Sequence, residues 1–159
     1  MENFIEPYHV QFVHKTTTNQ PLADHYVVED EHCLGSAVDL TSEQQNKGKE
    51  GTLSVSSRYL TLFPNFVLGV YYPDQLGVHL NQPISAGSTH QRRVIYQLKS
   101  ADQSADEIDK IRKLWISVHK EDHEICERLQ QGRHSDLSEQ GGLLSPHWES
   151  SVRKFQELV

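Results

Sequence analysis

The sequence predicts an α+β fold on three observations: a block of short β-rich runs, a long amphipathic segment after it, and a shorter capped helix at the end. The β block reads TLSVSSRYLTLF, NFVLGVYY, LGVHLNQPI and RRVIYQLK, rich in β-branched and aromatic residues. Pro64-Asn65, Pro73-Asp74 and a Ser-Ala-Gly-Ser turn separate the runs. Such punctuation predicts an antiparallel sheet of about four strands.

The segment DQSADEIDKIRKLWISVHKEDHEICERLQQG places Ile108, Ile111, Leu114, Trp115, Val118, Ile125 and Leu129 at helical spacing and stops at Gly132. The tail, residues 143–159, offers Ser145 as N-cap, Pro146 as first helical residue and Glu149 nearby, with Trp148, Val152 and Phe155 along one face. At the other end, ENFIEPYHVQFVHK spaces Phe4, Ile5, Tyr8, Phe12 and Val13 as a mostly buried helix does. Pro7 either sets the start of the regular helix near Glu6 or kinks the segment. Residues 29–51 turn polar, through SEQQNKGKEG, and read as a solvated loop excursion.

A chain of 159 residues is the size of one domain, so residues 1–159 are expected to fold as a single unit. The net charge of -7, with no Lys/Arg run, argues against a nucleic-acid partner, which needs clustered basic residues. No apolar run approaches the roughly 20 residues of a membrane span, and the N-terminus has no basic stretch of the signal-peptide kind. The cytoplasm is the expected location. Cys33 and Cys126 are far apart and in no Cys-x-x-Cys arrangement, which predicts neither a disulfide framework nor a cysteine zinc site. There is no Gly-rich phosphate loop and no nucleophile elbow.

Ten histidines are many for this length. Glu6, His9 and His14 fall on a segment that reads as buried, where imidazoles and carboxylates need partners. On an ideal helix Glu6 and His9 share a face, whereas residues five apart diverge by roughly 140°. One metal between His9 and His14 therefore requires a break, such as a π-turn or a helix end. By spacing alone, ordinary hydrogen-bonded or surface histidines are the commoner outcome. His119 and His123, four apart on a helix face, form a second candidate pair with zinc-like spacing.

The string from Glu2 to His14 resembles the Asn-x-x-(Asp/Glu)-x-Tyr-His-x-x-x-x-His segment of Rieske-type non-haem iron oxygenase large subunits, through Asn3, Glu6, Tyr8, His9 and His14. Phe63-Pro64-Asn65 is similar to the sheet region of the same catalytic domain. So is the stretch from Glu121 to Gly132, with its Glu121-Asp122 pair and its Gln130-Gln131-Gly132. The similarity runs in order from Glu2 to about Phe155. It implies the C-terminal catalytic domain, a helix-grip (SRPBCC/START-like) fold in which an antiparallel sheet curves around the long helix.

The resemblance also implies His9, His14 and Asp122 as ligands of a mononuclear Fe(II), with Glu121 the rival third ligand because it adjoins Asp122. Two imidazoles and one carboxylate leave positions open for dioxygen and substrate, the ligand set of non-haem iron oxygenases. Glu6 matches the carboxylate that links a ligand histidine to a Rieske-cluster histidine of the neighbouring subunit, a catalytic role in orientation and electron transfer. Asn3 and Tyr8 are candidate supports. The implied reaction is hydroxylation or oxidative demethylation of a small organic substrate, in a pocket lined from Phe66 to Tyr72 and from Val78 to Leu80.

One feature of the family is missing from this sequence. A complete large subunit holds a [2Fe–2S] cluster on Cys-x-His and Cys-x-x-His pairs. Neither pair occurs here, so no iron–sulfur cluster is expected in this chain, and the strand that in the family leads into the Asn3 position is expected to be missing from it. A truncated gene, a stand-alone domain and a remnant all fit. The expectation is an oxygenase domain inactive without an external Rieske or ferredoxin donor in trans; a homo-oligomer, a trimer, is a separate expectation that would not by itself supply the missing cluster. The competing expectation is a non-enzymatic helix-grip domain that holds an apolar ligand.

Overall fold

A computed structural model describes residues 1–31, 33–49, 51–98 and 104–159. Six strands form one sheet: β1 (His25–Glu29), β2 (Cys33–Val38), β3 (Ser57–Leu62), β4 (Phe66–Tyr71), β5 (Gln75–Ser85) and β6 (Ser88–Gln97). Each pairs antiparallel with its sequence neighbour, so the sheet is an up-and-down meander. The four expected runs became β3 to β6. The residues Lys99 and 102–103 that flank the expected strand and helix lie outside the described residues.

The reading of residues 29–51 as a solvated loop is corrected. Strand β2 lies within it, buried from Leu34 to Val38, and is followed by helix α3 (Ser42–Asn46). The sequence CLGSAV gives little periodic signal because the strand is covered on both faces and uses small residues. Gly35 shows why: a side chain there would sit 1.8 Å from the Tyr59 carbonyl oxygen on the neighbouring strand. Residues 39–51 remain the polar part.

Helix α4 (Ala105–Gly132) runs 28 residues, about 42 Å at 1.5 Å per residue. A capping box starts it: the Ser104 hydroxyl accepts from the Glu107 N–H while the Glu107 carboxylate accepts from the Ser104 N–H. Its buried stripe is Trp115 and Val118, which join Leu53 and Tyr71 in one core cluster. Trp115 Nε1 donates to Gln75 Oε1 at 3.0 Å and its ring lies 4.3 Å from that of Tyr71. Leu129, expected on the buried face, is exposed.

The closing helix α5 (Ser150–Leu158) begins later than its Ser145 cap suggests. Ser145 instead caps a turn, its N–H donating to Glu149 Oε2 at 2.6 Å. Val152 and Phe155 then pack with Ile5 and Leu34 in a second core cluster. Helix α5 lies against β1 and β2, and the N-terminal helices described next fill the space between it and α4. The concave side of the sheet is left with a cavity of about 1030 Å³.

Candidate metal centre and cavity

The N-terminal segment is a broken helix, and the break builds the site. Helix α1 (Glu2–Ile5) ends at Glu6, which is extended (φ -119°, ψ 144°) because it precedes Pro7. Helix α2 (Val10–Val13) is a single turn whose flanking residues are His9 and His14. His14 leaves the helical rotation (φ -92°, ψ 42°), so the divergence of residues five apart on a regular helix does not apply. The two imidazole rings lie 5.2 Å apart. Pro7 therefore breaks the helix, and the segment is less buried than its apolar spacing suggested: Phe12 and Tyr8 face outward, where Tyr8 stacks on Trp148.

Asp122 reaches the pair from α4. One ligand atom from each of His9, His14 and Asp122 falls within 4.8 Å of the others. Asp122 Oδ1 is 3.1 Å from His14 Nε2 and 3.7 Å from His9 Nε2. Asn3 Nδ2 donates to the same oxygen at 2.9 Å, so Asn3 supports the site and Tyr8 does not. The nitrogens on the far side of each ring are held as well. Glu6 Oε1 is 2.6 Å from His9 Nδ1, and its other oxygen accepts from the His9 backbone N–H at 3.1 Å. Glu121 Oε2 is 2.8 Å from His14 Nδ1 and also accepts from the Thr17 hydroxyl at 2.6 Å.

This arrangement separates the adjacent acids. Asp122 faces the inward nitrogens while Glu121, one residue earlier and about 100° round the helix, holds an outward one. Thr17 itself is anchored, its carbonyl accepting from the Leu53 N–H at 2.6 Å. The rival histidines do not converge: His123 is exposed beside Glu127, and His119 packs edge-on against His79.

The electrostatics of the metal-free cradle follow from these contacts. Burial pulls the His14 pKa down, but the hydrogen bonds and charges of Asp122 and Glu121 outweigh it and leave the pKa above its ordinary value. Burial likewise pushes Asp122 up, and the His14 and His9 contacts with the Asn3 hydrogen bond bring it below its ordinary value. Carboxylates stand against both nitrogens of the His14 ring, Glu121 at Nδ1 and Asp122 at Nε2, so the surroundings favour positive charge at this place. Two imidazoles and a carboxylate pointing inward, each held from behind, fit a divalent metal with open positions.

The cavity opens beside this centre and is bounded by residues that the sequence did not mark. Of the expected lining from Phe66 to Tyr72 and Val78 to Leu80, strand alternation turns Val67, Gly69, Tyr71 and His79 inward, and Val67, Tyr71 and His79 line the cavity. His25 and His79 are buried, and burial lowers the pKa of each to about 4. Both stand on strands where alternation is visible, but alternation does not distinguish a cavity face from a wet one.

A match to the family described as Ring hydroxylating alpha subunit (catalytic domain) extends over residues 1–159. The chain belongs to this family. Among solved structures, the chain resembles the quaternary ammonium Rieske monooxygenase CntA, solved in complex with the inhibitor MMV12, with a TM-score of 0.75 and 16% identity. The overlay covers 99% of this chain and 43% of that one, so the chain spans less than half the length of its structural relative. The likeness bears on fold, and the helix-grip architecture expected from sequence is the one found. No curated protein matches the sequence significantly. Among the described residues, no helix is long and apolar enough to cross a membrane.

Proposed function

We propose that this ring-hydroxylating catalytic domain holds a mononuclear non-haem Fe(II) on His9, His14 and Asp122 and hydroxylates or oxidatively demethylates a small organic molecule in the adjoining cavity. The observation that carries the reading is the paired support behind the two histidines, Glu6 on His9 and Glu121 on His14. When bound, the iron would supply open positions for dioxygen and substrate. Glu6 and Glu121 accept the Nδ1 protons, which leaves each Nε2 lone pair facing inward. Asn3 orients Asp122, and Tyr71, Trp115 and Val118 keep water from the adjoining wall.

Dioxygen activation needs electrons, and the cysteines of this sequence stand in no cluster-binding pair. The donor is therefore sought outside these residues, as a Rieske or ferredoxin centre supplied in trans by another chain and reached through Glu6; a homotrimer of this chain alone would not carry it. We place the protein in the cytoplasm. Anaerobic titration with Fe(II) tests the reading: it predicts about one iron per chain. A chain that binds no iron yet retains a hydrophobic ligand would instead be a non-enzymatic carrier. Iron-loaded chain, reductase and NAD(P)H should give no product under air until a separate Rieske protein is added.

A further inference from the structure

The sheet side of the cavity carries polar groups that the metal centre does not use. His79 on β5 and Arg93 on β6 are direct cross-strand partners, so both side chains leave the sheet on its concave face. Both line the cavity. His79 Nε2 and Arg93 Nε are buried, and neither has a hydrogen-bond partner among the described residues. Arg93 makes no ion pair among the described residues either.

A buried donor without a partner is costly, and folded proteins leave few of them unmatched; Arg93 is half-buried as a residue, with its Nε out of water. Burial lowers the Arg93 pKa, and the field of Asp122 works against that. Asp122, however, is already bonded to His14 and Asn3 and would be committed to the metal. A positive charge therefore faces the cavity without a counter-charge of its own. Beside it stand the aromatic surfaces of Tyr71 and Trp115. A cationic head group would meet like charge there.

The geometry points to a carboxylate subsite: the cavity takes a small organic acid whose carboxylate accepts hydrogen bonds from Arg93 and His79 while its apolar body lies along Tyr71 and Trp115. This deepens the oxygenase reading and rests on it for the fate of the ligand, but not for binding. A planar guanidinium matches a carboxylate in two parallel hydrogen bonds, and charge-assisted bonds of this kind are about twice as strong as neutral ones.

Calorimetry on the metal-free chain tests the subsite, with 4-phenylbutyrate, its neutral amide, and 3-phenylpropyltrimethylammonium as probes. The carboxylate should bind about 10–100-fold more tightly than the amide, the equivalent of a charge-assisted hydrogen bond. Arg93→Gln should erase that preference, and Arg93→Lys should restore part of it, which also controls for folding. Equal binding of acid and amide, or no binding of any probe, would overturn the subsite. So would a preference that survives Arg93→Gln and disappears in His14→Ala, since the anion would then sit on the metal cradle. Iron stoichiometry without any probe is read separately, so failure of the metal centre and failure of the subsite remain distinguishable.

Discussion

In the cradle made by α1, α2 and α4, each imidazole nitrogen faces a carboxylate: Glu6 and Asp122 for His9, Glu121 and Asp122 for His14. On the sheet side of the cavity, Nε2 of His79 and Nε of Arg93 have no hydrogen-bond partner among the described residues. The cradle is a network of hydrogen bonds and charge contacts that supports both ligand rings from behind, which is what a metal site with defined geometry requires. The sheet side is left open, and its unmatched donors are completed by what enters the cavity. The two regions also titrate in opposite senses, with His14 held above its ordinary pKa and His25 and His79 well below theirs.

The largest expected effect breaks the cradle alone. Asp122→Ala should abolish stoichiometric Fe(II) binding while Glu121→Ala should not, because only Asp122 faces both inward nitrogens. The reverse result in an iron titration would exchange the roles of the two acids.

The next effect belongs to the sheet side. The folded pKa of His25 lies near 4 against 6.5 as the ordinary value, so the unfolded chain takes up the proton first as pH falls. Stability should be full above about pH 6.5 and decline toward pH 4, by up to about 3 kcal/mol for such a group. Urea denaturation at pH 7 and pH 5 should show a smaller loss in His25→Gln than in the parent chain. An unchanged loss would mean that His25 is not held neutral by burial.

Smaller effects sharpen the distinction between the regions. Glu121→Ala should weaken iron affinity by about 10–100-fold without changing stoichiometry, as removal of a group behind a ligand histidine usually does. A competition assay with a chelator would read this directly, and unchanged affinity would reduce Glu121 to a structural contact. Gly69→Ala should leave iron binding intact and destabilise the fold by about 1–3 kcal/mol, the usual cost of overpacking. The added carbon would lie 2.2 Å from the Tyr71 hydroxyl, so the ring must shift against Trp115. Loss of iron in that variant would show that cradle and sheet are not separable.

The two regions were unequally legible in the sequence. Strands β3 to β6 and helix α4 could be read because their periodicities are long and their turns are marked by proline, asparagine and glycine. Strand β2 could not, since a strand of small residues buried on both faces carries no alternation. In the cradle, Pro7 announced a break, but only the backbone at His14 shows how residues five apart come to share a centre. The choice between Glu121 and Asp122 turned on helical phase, which adjacent positions cannot reveal alone. His79 and Arg93 were invisible as a pair because their meeting depends on the β5–β6 register.

The central claim is that the inward nitrogens of His9 and His14 and a carboxylate oxygen of Asp122 share one metal, with Glu6 and Glu121 behind them. The most direct measurement is anomalous diffraction from crystals of the chain loaded anaerobically with Fe(II). The account predicts one peak about 2.0–2.3 Å from His9 Nε2, His14 Nε2 and an Asp122 oxygen, in the range of ordinary metal–ligand distances. The Nδ1 contacts to Glu6 and Glu121 should persist beside it. A peak on Glu121, at His119 and His123, or at no fixed position would contradict it.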